Sequence, residues 1–257
     1  MFLLTQDDII IVKIKKEWLV MKKILITNDD GINASGIIRL AKAALKYGEV
    51  WVVAPDFQRS GASHSINLHD SIDVHEQEFP VNGVKAFAIT GTPADCVRLG
   101  VLSIMPEKPD IVLSGINFGY NAGSDVQYSG TVGAAMEAVF QKIPAIAFSE
   151  GTNDGFIITD MYLESILEEL IDTAYIPDTI MNVNFPTCKP EELKGILRDR
   201  TVSRGCIFRD RYTCEELPDG GKRYMVDGIY NEDVEDGSDL RALFDRYISV
   251  GQVKNIG

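Results

Sequence analysis

At 257 residues the chain has room for one large domain, or for a main domain with a smaller attachment. A hydrophobic share of 45% and a charged share of 25% suit a globular protein, and no apolar run is long enough to span a bilayer. The net charge of −13 argues against general affinity for nucleic acid polymers or anionic membranes, yet admits a phosphorylated small molecule where a metal ion inverts the local potential.

Cys96, Cys188, Cys206 and Cys214 are scattered without a CxxC or zinc spacing, which predicts reduced thiols and a cytoplasmic protein. His64, His69 and His75 share one segment but lack the spacing of a helical metal pair. A histidine-based triad therefore has no support.

Residues 1–20 read as an N-terminal extension that forms an edge strand at most and carries no chemistry. The apolar stretch Ile9 to Ile14 is too short and too interrupted by charge for a secretory signal. After Met21, the run from Ile24 to Thr27 predicts a buried strand that stops at Asn28, Asp29, Asp30 and Gly31. Ligands of open α/β sheets bind just outside the carboxyl ends of such strands. Two adjacent carboxylates there repel each other unless a cation lies between them, although plain Asx-turn capping of the next helix reads equally well from this stretch alone.

The spacing of Ile37, Ile38, Ala41, Ala44 and Leu45 predicts a helix over 35–47, closed by Gly48. Further buried strands are expected at 50–54, 86–90, 111–114 and 143–148. Thr92, Pro93 and Asp95 form an N-cap, first helical residue and capping-box acid. The glycine-rich run from Gly115 to Gly123 reads as a loop, and it matches neither a Walker A loop nor GxGxxG. A small-residue helix starts near Ser129, and its free N–H groups with the Ser129 and Thr131 hydroxyls make either a phosphate site or an ordinary N-cap. Beyond Ser149 a helix over 161–175, a strand end at 181–186 and a hairpin turning at 218–221 are expected.

Strands alternating with helices imply an α/β fold with a mostly parallel sheet and helices on both faces. The polar segments all follow strands, so they converge on one sheet edge. Asp29, Asp30, Ser60 and Asn117 then offer hard oxygen donors, a set suited to Mg²⁺, Mn²⁺ or Ca²⁺ rather than structural zinc.

The blocks ILITNDDGINASGI, VVAPDFQRSGASHSI, ITGTPADCVRLG and SGINFGYNAGSDVQYSGTVGAAMEAVFQKIPAIAFS resemble the SurE survival proteins, a family of metal-dependent nucleotide phosphatases. The resemblance covers 21–149, with the blocks in family order. It implies a Rossmann-like catalytic core over 21–185 and a C-terminal arm and tail over 186–257 that exchanges between subunits of a homodimer or homotetramer. It implies hydrolysis of nucleoside monophosphates, with 3′-nucleotides and short polyphosphate as further substrates. The family's metal ligands fall on Asp29, Asp30, Ser60 and Asn117, and its phosphate-contacting segment on Ser129, Gly130 and Thr131. Asp29 and Asn117 are the expected catalytic residues, with Asp29 orienting or deprotonating the attacking water. Ala138 stands where a glycine is expected, and the tail 246–254 matches only in part. A phosphatase for another small phosphoester, and a nucleotide-binding stress protein that senses without hydrolysing, use the same residues.

Overall fold

The computed structural model describes residues 21–152, 156–231 and 233–254. The expected N-terminal extension, 1–20, lies outside them. Strand β1 (Lys22–Thr27) sets the pattern: Ile24 and Ile26 point into one apolar cluster and Leu25 into another, so both sheet faces are buried. A strand sandwiched this way reads as a continuous apolar run.

β1 pairs in parallel with β2 (Gly48–Pro55) and β5 (Ile111–Phe118). β2 pairs in parallel with β4 (Lys85–Ile89), and β5 with β6 (Ala145–Glu150), which pairs with β7 (Thr179–Phe185). With β3 (Val74–Gln77), β8 (Ile196–Arg200) and β13 (Ile248–Lys254), the nine-stranded sheet has the order β3-β4-β2-β1-β5-β6-β7-β13-β8. Helices α1 (Ser35–Ala44) and α4 (Phe156–Leu170) cover one face. Helices α2 (Pro93–Leu99) and α3 (Gly130–Phe140) cover the other, with Val97 and Met136 in the second apolar cluster. This is the expected mostly parallel α/β fold.

Several boundaries differ from expectation, each for a local reason. Gly48 does not close α1 but opens β2, where a Cβ would lie 1.8 Å from the Lys22 carbonyl oxygen of the paired strand. The expected strand 111–114 runs on to Phe118 through a register shift against β6, so Asn117 stands in a strand rather than in a loop. The helix expected over 161–175 occupies Phe156–Leu170 instead. β3 (Val74–Gln77) was not anticipated: it is an exposed antiparallel edge strand, without the apolar pattern of its neighbours. The capping box forms, Thr92 accepting from the Asp95 N–H at 3.1 Å and the Asp95 carboxylate from the Thr92 N–H at 3.0 Å.

The stretch 186–257 divides in two. β8 (Ile196–Arg200) and β13 (Ile248–Lys254) return to the main sheet, β13 running antiparallel to β7. Between them a hairpin of β10 (Tyr212–Glu216) and β11 (Lys222–Val226) stands exposed, on the turn the sequence predicted. A short pair, β9 (Phe208–Arg209) with β12 (Ile229–Tyr230), forms the base of this arm. Helix α5 (Asp239–Phe244) leads from it into β13.

Candidate active site

β1, β2 and β5 are adjacent and parallel, so their carboxyl ends open on one edge of the sheet. Asp29 and Asp30 follow β1, Ser60 follows β2, and Asn117 lies at the end of β5. The Arg59 N–H donates to the Asp29 carbonyl at 2.7 Å and joins the two loops.

The Asp29 side chain is only 3% exposed, and its partner is Thr131 at the start of α3. The Thr131 hydroxyl donates to Oδ1 at 2.7 Å, and the Thr131 N–H to Oδ2 at 3.2 Å. Burial pushes the Asp29 pKa up to about 6; the Asp30 charge adds to the rise, and the Thr131 hydrogen bonds oppose it. A Cβ on Gly130 would lie 3.0 Å from the Asp29 Cβ and 3.1 Å from its Oδ2, so glycine gives the helix start its close approach to this carboxylate.

Asp30 accepts the Phe118 N–H at 3.0 Å and the Gln58 amide at 3.3 Å. Burial raises its pKa, against the pull of those two donors. The same Gln58 amide donates to the Ser60 Oγ at 2.9 Å, which puts the hydroxyl beside Asp30. Asn117 donates through Nδ2 to the Gly119 carbonyl at 2.8 Å, turning its amide oxygen, the atom a cation would use, the other way. The structure thus connects all four predicted oxygen donors through Gln58, Phe118 and the chain itself.

The charges of the pair are unbalanced by protein. Among the described residues no basic side chain forms an ion pair with Asp29 or Asp30. Arg59, whose N–H joins the two loops, sends its side chain elsewhere: it donates to the Thr90 carbonyl at 2.8 Å, pairs with Asp56 at 3.7 Å and lies over the Phe57 ring, 3.7 Å from its centroid. Beside the pair, the buried Asn28 Oδ1 has no partner. No cluster of three or more His, Cys, Asp or Glu side chains among the described residues is placed to hold a metal ion. A two-carboxylate site must therefore draw its other ligands from hydroxyl and amide oxygens, as Ser60 and Asn117 supply. One buried and one half-buried carboxylate, hard neutral donors and an orphaned amide oxygen fit a hard divalent cation.

At α3 the predicted phosphate contacts are partly committed elsewhere. Ser129 is the N-cap, its Oγ accepting from the Val132 N–H at 3.0 Å. Thr131 is bound to Asp29. The Gly130 N–H, first in the helix, has no acceptor among the described residues. Sequence reasoning missed Gln58, which is signalled only by its place two residues before Ser60. It also missed the pairing of His64 with Glu137 on α3, at 2.9 Å, which ties the loop after Ser60 to the helix holding Asp29.

The model of the family described as "Survival protein SurE" matches residues 24–205. The chain belongs to the SurE family. A 5′-nucleotidase SurE of Clostridium botulinum (strain 657 / Type Ba4) is 40% identical over 231 residues, covering 88% of this chain and 90% of that one. A 5′-nucleotidase SurE of Alkaliphilus metalliredigens is 38% identical over 233 residues, covering 89% and 91%. The crystal structure of the SurE protein from Aquifex aeolicus superposes with a TM-score of 0.75 at 35% identity, covering 90% of this chain and 93% of that one. The resemblance in the sequence blocks and the likeness of whole folds point to the same family.

Proposed function

We propose that this chain is a divalent-metal-dependent phosphatase that hydrolyses nucleoside monophosphates to nucleoside and phosphate. The observation that carries the reading is the pair of unbalanced carboxylates, buried Asp29 and half-buried Asp30, connected to Ser60 and Asn117 at the sheet edge. The names of its SurE relatives supply the substrate class. These four residues would hold one ion per subunit, Mg²⁺ or Mn²⁺, with Ca²⁺ as a non-catalytic occupant. When bound, such an ion lowers the pKa of water and neutralises charge on the phosphoryl oxygens.

The chain's own residues do the rest. Thr131 fixes the Asp29 carboxylate, which orients the attacking water and is the first acceptor for its proton. The Ser129 hydroxyl and the Gly130 N–H hold phosphate oxygens at the positive end of α3. The water oxygen bonds to phosphorus as the ester P–O bond breaks, and the departing nucleoside oxygen takes up a proton. No cysteine or histidine serves as a nucleophile, so attack is direct and in line. A ³²P-labelled covalent adduct on Asp30 is the result that would replace this step with a phosphoenzyme. 3′-Nucleotides and short polyphosphate present the same terminal phosphate and belong to the same substrate range.

The exposed β10–β11 arm, with Tyr212, Tyr224, Met225 and Val226 open on its surface, suits exchange between subunits of a homodimer or homotetramer. The four unpaired cysteines suit a reducing, cytoplasmic compartment. Among the described residues no helix is long and apolar enough to cross a membrane.

The test is phosphate release from a panel of nucleoside 5′- and 3′-monophosphates with Mg²⁺, Mn²⁺ or EDTA, beside Asp29→Asn. Release that EDTA abolishes, and that the substitution reduces by about 100-fold or more, is expected. Nucleotide binding without release under any metal would instead make the protein a sensor.

A further inference from the structure

A second feature opens on the same sheet edge. Past Asn117 the chain runs through Gly119 and Tyr120, and these two residues form one wall of a cavity of about 490 Å³. The Gly119 carbonyl is the group that holds the Asn117 amide, and the Gly119 N–H donates to the Glu150 carbonyl at 2.8 Å. The cavity thus begins two residues from a proposed metal ligand and extends along the ends of β5, β6 and β7. Its size lies in the range of about 300–1,000 Å³ typical of small-molecule sites.

Its far wall is aromatic. Phe208 and Tyr230, from the base of the arm, and Phe244, at the end of α5, all line it. The Phe208 and Tyr230 rings meet edge-on at 5.7 Å between centroids, and the Tyr230 and Phe244 rings lie 5.5 Å apart. Phe208 and Tyr230 are 53% and 52% exposed, so each has ring surface open to a ligand. Polar groups accompany the rings: Asp125 and Arg246 border the same space. The floor is rigid, because the Tyr120 hydroxyl accepts from the Thr187 N–H at 2.6 Å, and the next residue, Asn121, is bound to Asn184 and Ser149.

We propose that this cavity is the nucleoside subsite: it takes the base and ribose of the substrate while the phosphate lies at Asp29, Asp30 and Asn117. The inference rests on the nucleotidase reading and assigns its specificity to the arm base. An aromatic heterocycle suits it because ring stacking accepts any base, and a carboxylate such as Asp125 accepts hydrogen bonds from ribose hydroxyls. Truncating one stacking ring weakens base binding by roughly 5- to 150-fold.

The experiment compares nucleoside 5′-monophosphates with ribose 5-phosphate, which has the same phosphate and sugar but no base. It uses the full chain, wild type, Tyr230→Ala and Phe208→Ala, with the mass in solution followed by light scattering. Expected is a kcat/KM for the nucleotides about tenfold or more above that for ribose 5-phosphate. Either substitution should collapse this ratio by raising KM for the nucleotides, with ribose 5-phosphate turnover unchanged. Equal wild-type values for the two substrates overturn the inference, as does a ratio that survives both substitutions. So does equal loss on both substrates, which marks a structural role, or a changed mass alone, which marks a joint between two copies. If wild type releases phosphate from nothing, the nucleotidase reading fails; calorimetry of adenosine with metal-free wild type and Tyr230→Ala then decides on the cavity. Binding weakened by the substitution supports it, and no binding to wild type overturns it.

Discussion

Gly133→Ala sets two magnitudes against each other. Gly133 lies one turn into α3, where helix propensity alone makes alanine more favourable by about 1 kcal/mol. The added Cβ, however, would lie 2.3 Å from the Ser63 carbonyl oxygen, 2.8 Å from the Ser63 carbonyl carbon and 2.9 Å from the His64 Cα. All three are backbone atoms of the loop that follows Ser60, so no side-chain rotation relieves the overlap. That loop is held from several sides: the Ser63 N–H donates to the Tyr128 carbonyl at 3.0 Å, and His64 is bound to Glu137. Overpacking of this kind costs about 1–3 kcal/mol, and displacing the loop forfeits hydrogen bonds worth about 1 kcal/mol each. Sterics outweigh propensity, and the variant should be about 1–2 kcal/mol less stable than wild type. With a urea slope of about 3 kcal/mol/M this lowers the unfolding midpoint by roughly half a molar. Because the displaced loop carries Ser60, calorimetric titration with Mn²⁺ should also show weaker binding. A midpoint equal to or above wild type, with unchanged Mn²⁺ affinity, would refute the close packing of this loop on α3.

Thr131→Val keeps the N–H bond to Asp29 but removes the hydroxyl bond at 2.7 Å, so a loss of about 1.5–3 kcal/mol in urea unfolding is expected. Glu137→Gln should lose stability in a pH-dependent way. Burial raises the Glu137 pKa, but His64, Gln141 and Arg98 together outweigh it and hold the carboxyl below its usual range. A depressed folded pKa stabilises fully above the unfolded value, about 4.3, and that stabilisation is lost as the pH falls through the lower folded value. The gap between wild type and Glu137→Gln in urea midpoint should therefore be widest near pH 6–7 and narrow below pH 4. Thr92→Ala removes the cap of α2 and also the hydroxyl bond to the Ser65 carbonyl at 2.7 Å in the loop after Ser60, so it should cost about 1–2 kcal/mol in urea unfolding.

What the sequence disclosed follows from how local each signal is. β1, β2 and β5 are buried on both faces, so they appear as unbroken apolar runs, and the acidic pair at the end of β1 is conspicuous because it interrupts one. The capping box at Thr92 and Asp95 and the turn at 218–221 are chemistry of neighbouring residues and were legible. β3 was not, since an exposed edge strand such as Val74–Gln77 needs no apolar face. The place of β13 was hidden for another reason. Its pairing with β7 joins residues some seventy positions apart, and only the sheet shows that Val250 lies opposite Val183.

The start of α3 illustrates how residues that share one local signal can divide the work differently. Ser129, Gly130 and Thr131 stand out as the open end of a helix, and the positive pole there favours an anion. The anion that the protein itself supplies is Asp29. Thr131 binds both of its oxygens, and Ser129 satisfies the Val132 N–H. The helix start therefore opposes the burial that raises the Asp29 pKa, and so helps keep the proposed metal ligand charged. The proposed phosphate contact narrows to the Gly130 N–H and the Ser129 hydroxyl proton. Glycine suits 130 because a Cβ there would lie 3.0 Å from the Asp29 Cβ and 3.1 Å from the Pro93 Cγ. Positioning the carboxylate and the proposed phosphate contact thus fall on one helical turn, carried by different atoms of neighbouring residues.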